Sequence, residues 1–233
     1  LLPFLEWLLV PGITLNYILR KKFIEENVLQ AIKNGTTQII NIGAGFDTLA
    51  WRLSLRFPSL TFIEIDHPAT SQEKTKALRG ADSASPNLHF VAADLSKVSL
   101  DDALQSCAAF DSKQKTLYIS EGVLMYLDEI HVGGLFDSLR NLTGGASIFI
   151  FSCVEPNNSD KNNIRPLLHF YLKLKNERYL WYKRDTELPA FLKKYHYTLI
   201  ETADSEIYRK KYLPVDYEGT LHQGEYVVVA RVD

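Results

Sequence analysis

Ile39-Ile40-Asn41-Ile42-Gly43-Ala44-Gly45-Phe46-Asp47-Thr48 is the stretch that decides how this chain folds. An apolar run stops at Gly-Ala-Gly, and a helix-compatible segment, Leu49-Ala50-Trp51-Arg52-Leu53-Ser54, follows. Strand, tight glycine turn and helix, in that order, open a nucleotide-binding α/β unit. Glycine suits the turn because a side chain would hold the backbone away from a ligand, and because so tight a turn often needs positive φ. A second run, Thr61-Phe62-Ile63-Glu64-Ile65-Asp66, ends in a carboxylate 21 residues after Gly45. That is the usual spacing of an acid that accepts hydrogen bonds from a ribose.

The chain has 233 residues, enough for one large α/β domain spanning residues 1–233. Apolar content of 46% and charged content of 23% are those of a globular protein. A formal net charge of −2 gives no reason to expect nucleic acid as a partner. Cys107 and Cys153 form no metal-spacing pattern, so no metal site is expected, and they point to a reducing cytoplasm. The greasy start, Leu1 to Val10, is interrupted by Pro3 and Glu6 and followed by Pro11 and Gly12. A spanning helix needs about 20 mostly apolar residues, so the expectation is an amphipathic cap over residues 1–33 and no membrane span. No charged leader or small-residue cleavage site marks a signal peptide. The numbering begins at Leu1 and the one methionine is Met125, so residues before Leu1 are expected.

Thr14 to Ala31 reads as a helix carrying Arg20-Lys21-Lys22, ended by Asn34-Gly35. The run sits just upstream of the glycine-loop strand, where a cation could hold a carboxylate. Pro68 begins a helix over Ala69 to Leu78, and His67 before it reads as a bulky residue lining a cofactor pocket. Leu88 to Ala92 is strand three, closed by Ala93-Asp94-Leu95. An acid there stands at the carboxyl edge of the sheet, where ligands bind in open α/β folds; its other role is a helix N-cap. A helix over Leu100 to Ala109 leads to strand four, Thr116 to Ser120, with Glu121 at its carboxyl end. Asp128 caps a helix to about Leu142, and strand five covers Ala146 to Phe151. The repeated alternation predicts a mostly parallel sheet covered on both faces. Residues 156–185 mix a polar loop with His169, Phe170, Tyr171, Tyr179, Trp181 and Tyr182 among basic residues, and read as a lid. Glu187 to Tyr195 is a further helix. Tyr197 to Glu201 and Glu225 to Arg231 are the last two strands, antiparallel because their connection from Tyr212 to Gly224 shows no helical pattern.

The stretches Asn41 to Thr48, Glu64-Ile65-Asp66-His67-Pro68-Ala69, Asp94-Leu95 and Glu121-Gly122-Val123-Leu124-Met125-Tyr126-Leu127 together resemble the leucine carboxyl methyltransferase family. The lead-in from Pro11 to Glu25 is similar to its bacterial, polyketide-associated O-methyltransferase branch. The eukaryotic branch methylates the C-terminal leucine carboxylate of a phosphatase subunit, and another branch modifies a tRNA base. The resemblance implies a class I methyltransferase Rossmann-like fold: a seven-stranded, mostly parallel sheet with an antiparallel last strand. It implies S-adenosylmethionine as cofactor. By the same resemblance Arg20 holds the methionine carboxylate and Gly43 and Gly45 form the glycine loop. Asp66 takes the ribose, Asp94 and Leu95 contact adenine, and Glu121 lies beside the methionine moiety. The family often has Asp-Thr-Arg after the glycine loop, whereas Leu49 follows Thr48 here.

The function so implied is methyl transfer to a carboxylate or hydroxyl of a small molecule, such as a polyketide-type metabolite. A protein C-terminal carboxylate is the alternative acceptor, and a cofactor-binding protein without catalysis is the alternative class. A nicotinamide-dependent dehydrogenase fits less well, because the third glycine and a Tyr-x-x-x-Lys pair are missing. A carboxylate is ionised near neutral pH, so its attack on a sulfonium methyl needs no general base. Lys21, Lys22 and Tyr126 are candidates for holding or orienting the acceptor. A hydroxyl acceptor would require a base and bring in His67 or His169.

Overall fold

The computed structural model describes residues 10–80, 85–142, 147–163 and 179–233. Its elements run α1 (Ile13–Lys33), β1 (Gln38–Ile42), α2 (Leu49–Arg56), β2 (Thr61–Asp66), α3 (Pro68–Gly80), β3 (Leu88–Ala92), α4 (Leu100–Gln105) and β4 (Thr116–Ser120). After a 3-10 turn at Leu124–Tyr126 come α5 (Glu129–Leu142), β5 (Ile148–Val154), α6 (Leu188–Lys194), β6 (Tyr197–Ala203), α7 (Ser205–Tyr212) and β7 (Glu225–Val232). The seven strands form one sheet in the order β3-β2-β1-β4-β5-β7-β6. β7 is antiparallel to both β5 and β6, while the β3-β2-β1-β4-β5 pairings are parallel. The order reverses between β1 and β4, and the carboxyl ends of those two strands flank the crevice where open α/β sheets bind ligands.

Alternation along the strands builds two cores. Ile40, Ile42, Ile63, Ile65, Tyr118, Phe149 and Phe151 face α4, α5 and α6. Ile39, Phe62, Leu117, Ile119 and Ile150 face α1, α2 and α7. A strand buried on both faces has no polar side to show, which is why these stretches read as continuous apolar runs. On the first face Phe136 of α5 is fully buried and stands edge-on to Phe149, Phe151, Phe191 and Tyr197 at 5.3, 5.3, 5.1 and 5.0 Å. Such edge contacts add to the burial of each ring. No helix among the described residues is long and apolar enough to cross a membrane.

The structure departs from the sequence reading chiefly in the following places. α4 ends at Gln105, not Ala109, since the Ser106 and Cys107 amides close the last turn on Asp102 and Leu104. β5 continues to Val154, because β7 pairs with it as far as Val154↔Glu225. α7 was not expected: its core-facing side is carried mainly by Tyr208, while Asp204 supplies the N-cap by accepting from Glu206 and Ile207. The last two strands are antiparallel as expected, but β7 enters between β5 and β6. Leu1 to Leu9 and residues 164–178, which hold most of the expected cap lead-in and the middle of the expected lid, lie outside the described residues.

Candidate active site at the carboxyl edge of the sheet

The glycine loop is tied down by its neighbour strand: Gly43 and Ala44 donate their N–H groups to the Ile65 carbonyl at 2.8 and 3.3 Å. Gly43 and Gly45 have φ of 68° and 52°, a region in which a side chain is strained. Their surroundings differ. A Cβ at Gly43 would come within 2.3 Å of Val123 Cγ2, whereas one at Gly45 would meet nothing within 4 Å. The loop is thus closed beneath and open above.

Asp66 ends β2 directly under that opening. One carboxylate oxygen accepts from Gly45 N–H at 2.5 Å and the other from His67 N–H at 2.7 Å. Each oxygen has a second lone pair to offer. Ala93 N–H donates to the Asp66 carbonyl at 2.9 Å, which places Asp94 and half-buried Leu95 on the same edge. Asp94 is held by Ser96 and by Lys97 Nζ at 2.7 Å, and these hydrogen bonds pull its pKa below the ordinary carboxylate range. Exposed His67 has Nε2 3.9 Å from Asp94.

From α1, Arg20 and Lys21 reach across the ends of β1, β4 and β7. Arg20 Nε donates to Glu121 at 2.8 Å, and Nη1 pairs with Glu225 at the start of β7. Lys21 Nζ donates to Glu121 at 2.7 Å and to Asp47 of the glycine loop at 2.8 Å. Both cations lie within about 5 Å of the Tyr17 ring centroid, at 5.0 and 5.2 Å. Two cations thus face three carboxylates in a largely buried chain of ion pairs. Burial alone would lower the pKa of both cations; Glu225 and Glu121 reverse this for Arg20, and Glu121 and Asp47 for Lys21. Lys22 does not join them; it is exposed and lies over the Tyr212 ring of α7 at 4.6 Å.

Below the loop lies a second pair. Lys74 of α3 donates to the Asp47 carbonyl and stands 2.6 Å from Glu64 of β2, close enough for an ion pair but poorly aligned for a hydrogen bond. Burial pushes Glu64 up to about 7 against the pull of Lys74, with Asp47 and Asp66 adding to the rise. Tyr126 is 45% exposed, edge-on to Tyr179 at 5.7 Å. Beside it, Leu180 and Trp181 donate to the Met125 carbonyl, and Lys183 N–H to Val154. This stretch, the end of the expected lid, is stitched over the ends of β4 and β5. His169 lies outside the described residues.

Arg20, Lys21, Gly43, Gly45, Asp66, Asp94, Leu95, Glu121 and Tyr126 therefore all stand along the carboxyl edge. The sequence reading did not single out Glu225, Asp47, Lys74 or Glu64. The signal was there for Glu225, an acid opening a strand otherwise almost wholly apolar.

A model of the leucine carboxyl methyltransferase family matches residues 5–140, more than half of the chain. This chain belongs to that family. It is a family of S-adenosylmethionine-dependent methyltransferases, as the curated relatives' names also have it. One from Mycobacterium bovis (strain BCG / Pasteur 1173P2), provisionally named an S-adenosyl-L-methionine-dependent methyltransferase, is 35% identical over 130 residues, 55% of this chain and 36% of its own. A likewise-named protein from Mycobacterium marinum (strain ATCC BAA-535 / M) is 32% identical over 125 residues, 53% of this chain and 38% of its own. The chain spans little more than a third of the length of these curated relatives. Among solved structures, magnesium protoporphyrin IX methyltransferase from Synechocystis PCC 6803 with bound SAH superposes with a TM-score of 0.59 at 12% identity, over 94% of this chain and 85% of that one. Mitomycin 7-O-methyltransferase gives 0.55 at 14% identity, over 85% and 49%. At such identities the likeness is one of fold, and it is the class I Rossmann-like fold.

Proposed function

We propose that the protein transfers a methyl group from S-adenosylmethionine to an oxygen of a small molecule, a carboxylate oxygen in the first place and a hydroxyl in the second. The observation that carries the reading is the open glycine loop standing over Asp66, with Asp94 and Glu121 on the same sheet edge. The residues fit the cofactor. Space lies above Gly45, Asp66 keeps acceptor capacity for ribose hydroxyls, and the ion-pair chain carries an excess of one carboxylate beside which a sulfonium cation is favoured.

Bound S-adenosylmethionine supplies an electrophilic methyl on its sulfur. Asp66 would take the ribose, Asp94 and Leu95 the adenine, and the Gly43–Gly45 backbone would let the cofactor lie close. Glu121 would stand beside the methionine moiety. Arg20 would meet the methionine carboxylate; its Nε and Nη1 already hold Glu121 and Glu225, so Nη2 is the nitrogen to offer. Lys21 steadies Asp47 and Glu121, and Tyr126 at the rim would orient the acceptor. An ionised carboxylate needs no proton removed. What remains for the chain is alignment and exclusion of water, and the Leu180–Lys183 stretch, bonded to Met125 and Val154, would cover the edge.

The test is transfer of a labelled methyl group to a panel of small carboxylates, small alcohols and a peptide ending in leucine. A methyl ester releases its label as methanol in mild base, and an ether does not. Base-labile label on a small carboxylate is expected. Absence of S-adenosylhomocysteine binding by calorimetry would overturn the reading, and binding with no transfer to any acceptor would leave a binding protein.

A further inference from the structure

A cavity of about 280 Å³ opens where β5 and β6 end and where β7 and α7 begin. Among the described residues six carboxylates, Glu155, Asp160, Asp185, Asp204, Glu206 and Glu225, line it, with Lys161 as the one cation. Several are accounted for. Glu225 pairs with Arg20, and Asp185 with Lys161. Asp204 accepts from the Glu206 and Ile207 amides at 3.0 Å as the N-cap of α7. Asp160 and Glu206 are exposed to water.

Glu155 is not accounted for. It is 3% exposed. Oε1 accepts from Asp185 N–H at 3.0 Å, and the carboxylate has no ion-pair partner among the described residues. Oε2 makes no hydrogen bond among them, and Glu155 lines the cavity. Ser205, 7% exposed, lines the same space, and its Oγ likewise has no hydrogen-bond partner among the described residues. A buried carboxylate without a cation is expensive, and native sites pair such groups. No group of side chains suited to holding a metal ion occurs among the described residues, and an organic cation is a group that would supply the missing charge. The field agrees: the Lys161 pKa is raised, first by its bond to Asp185, and Asp204 and Glu155 add to the effect.

We propose that this cavity receives a primary ammonium group of the methyl acceptor, bonded to Glu155 Oε2 and Ser205 Oγ. The inference rests on the methyltransferase reading for the word acceptor, and it narrows the substrate class to amine-bearing small molecules. An ammonium has three donors, and the two unpartnered oxygens answer two of them. Glu225 lines the cavity and pairs with Arg20, so the cavity adjoins the ion-pair chain of the candidate active site.

The test titrates n-butylammonium chloride and, separately, 1-butanol into the protein at constant ionic strength, followed by amide NMR shifts at Ser205 and Gly224. Saturable shifts with the ammonium and none with the alcohol are expected. Glu155→Gln keeps an oxygen for the Asp185 amide but loses the charge, and should weaken ammonium binding at least tenfold while leaving S-adenosylhomocysteine affinity within twofold. Ser205→Ala should weaken it less and stands in if Glu155→Gln unfolds. Equal response to both probes, no saturation with ammonium, or unchanged binding in a folded variant would overturn the proposal. Loss of S-adenosylhomocysteine binding by the wild-type protein would instead overturn the methyltransferase reading and leave the ammonium result standing.

Discussion

Arg20→Ala should destabilise the protein by about 3–5 kcal/mol, the range for removing one partner of a buried ion pair. The structure says which carboxylate suffers. Glu121 keeps Lys21 at 2.7 Å, but Glu225, its side chain 10% exposed, has Arg20 as its only cation among the described residues. One buried charge is therefore orphaned, not two. For a chain of this size each kcal/mol lowers Tm by about 2–4 °C, so a drop on the order of 10 °C is expected. Urea unfolding followed by circular dichroism gives the free energy directly, provided the slope m is unchanged. The double variant Arg20→Ala/Glu225→Gln removes the orphan, and should be destabilised by about 1–3 kcal/mol less than the sum of the two singles. At a temperature where all variants are folded, S-adenosylhomocysteine should bind Arg20→Ala more weakly, while 5′-methylthioadenosine, which lacks the amino-acid carboxylate, should bind it as it binds wild type. A loss under ~1 kcal/mol with strict additivity would refute the buried-pair reasoning. Equal loss of both ligands would assign Arg20 to the shape of the site and not to the cofactor carboxylate.

Gly43→Ala should destabilise the fold by more than ~2 kcal/mol, because left-handed strain of about 1–2 kcal/mol adds to the Val123 clash, whereas Gly45→Ala carries the strain alone; paired urea curves check this. Asp66→Ala should weaken S-adenosylhomocysteine binding by about 1–3 kcal/mol in a folded protein, and unchanged affinity by calorimetry would remove Asp66 from the ribose site. Glu64, raised from 4.5 to about 7 by burial, keeps its proton in the fold after the unfolded chain has lost it. Its contribution is therefore full at low pH and lost as pH rises through about 7, with a slope of at most ~1.4 kcal/mol per pH unit; that slope should be absent from urea curves of Glu64→Gln. Cys153, 1% exposed and pushed up to about 12 by burial, should resist a thiol reagent at pH 8 until unfolding, while half-buried Cys107 reacts first by mass spectrometry.

β1, β2 and β4 were legible in the sequence because central parallel strands are apolar on both faces and end in abrupt changes of residue type. α7 was not, because a short helix that buries mainly Tyr208 and Ser205 shows no periodicity; its Asp204 cap was the one available sign. The placement of β7 between β5 and β6 depends on which edge wins the pairing, and no local pattern records that. The site divided in the same way. Gly43, Gly45, Asp66 and Asp94 sit at strand ends and could be located by spacing. The pairing of Arg20 with Glu121 and Glu225 and of Lys21 with Glu121 could not, since these carboxylates lie 100 or more residues away and only the folded sheet brings them close.

That separation also orders events in time. Arg20 waits for a partner 205 residues later, on the strand that completes the sheet from within. Contacts of such long range slow folding, since the chain must be closed into a loop before they are rewarded. During synthesis α1 and the β1 to β4 half could collapse early, with Arg20 held by Glu121 alone, while the facing edges of β5 and β6 remain open to wrong pairing. The same strand that brings Arg20 its second carboxylate is thus the one that closes the facing edges of β5 and β6.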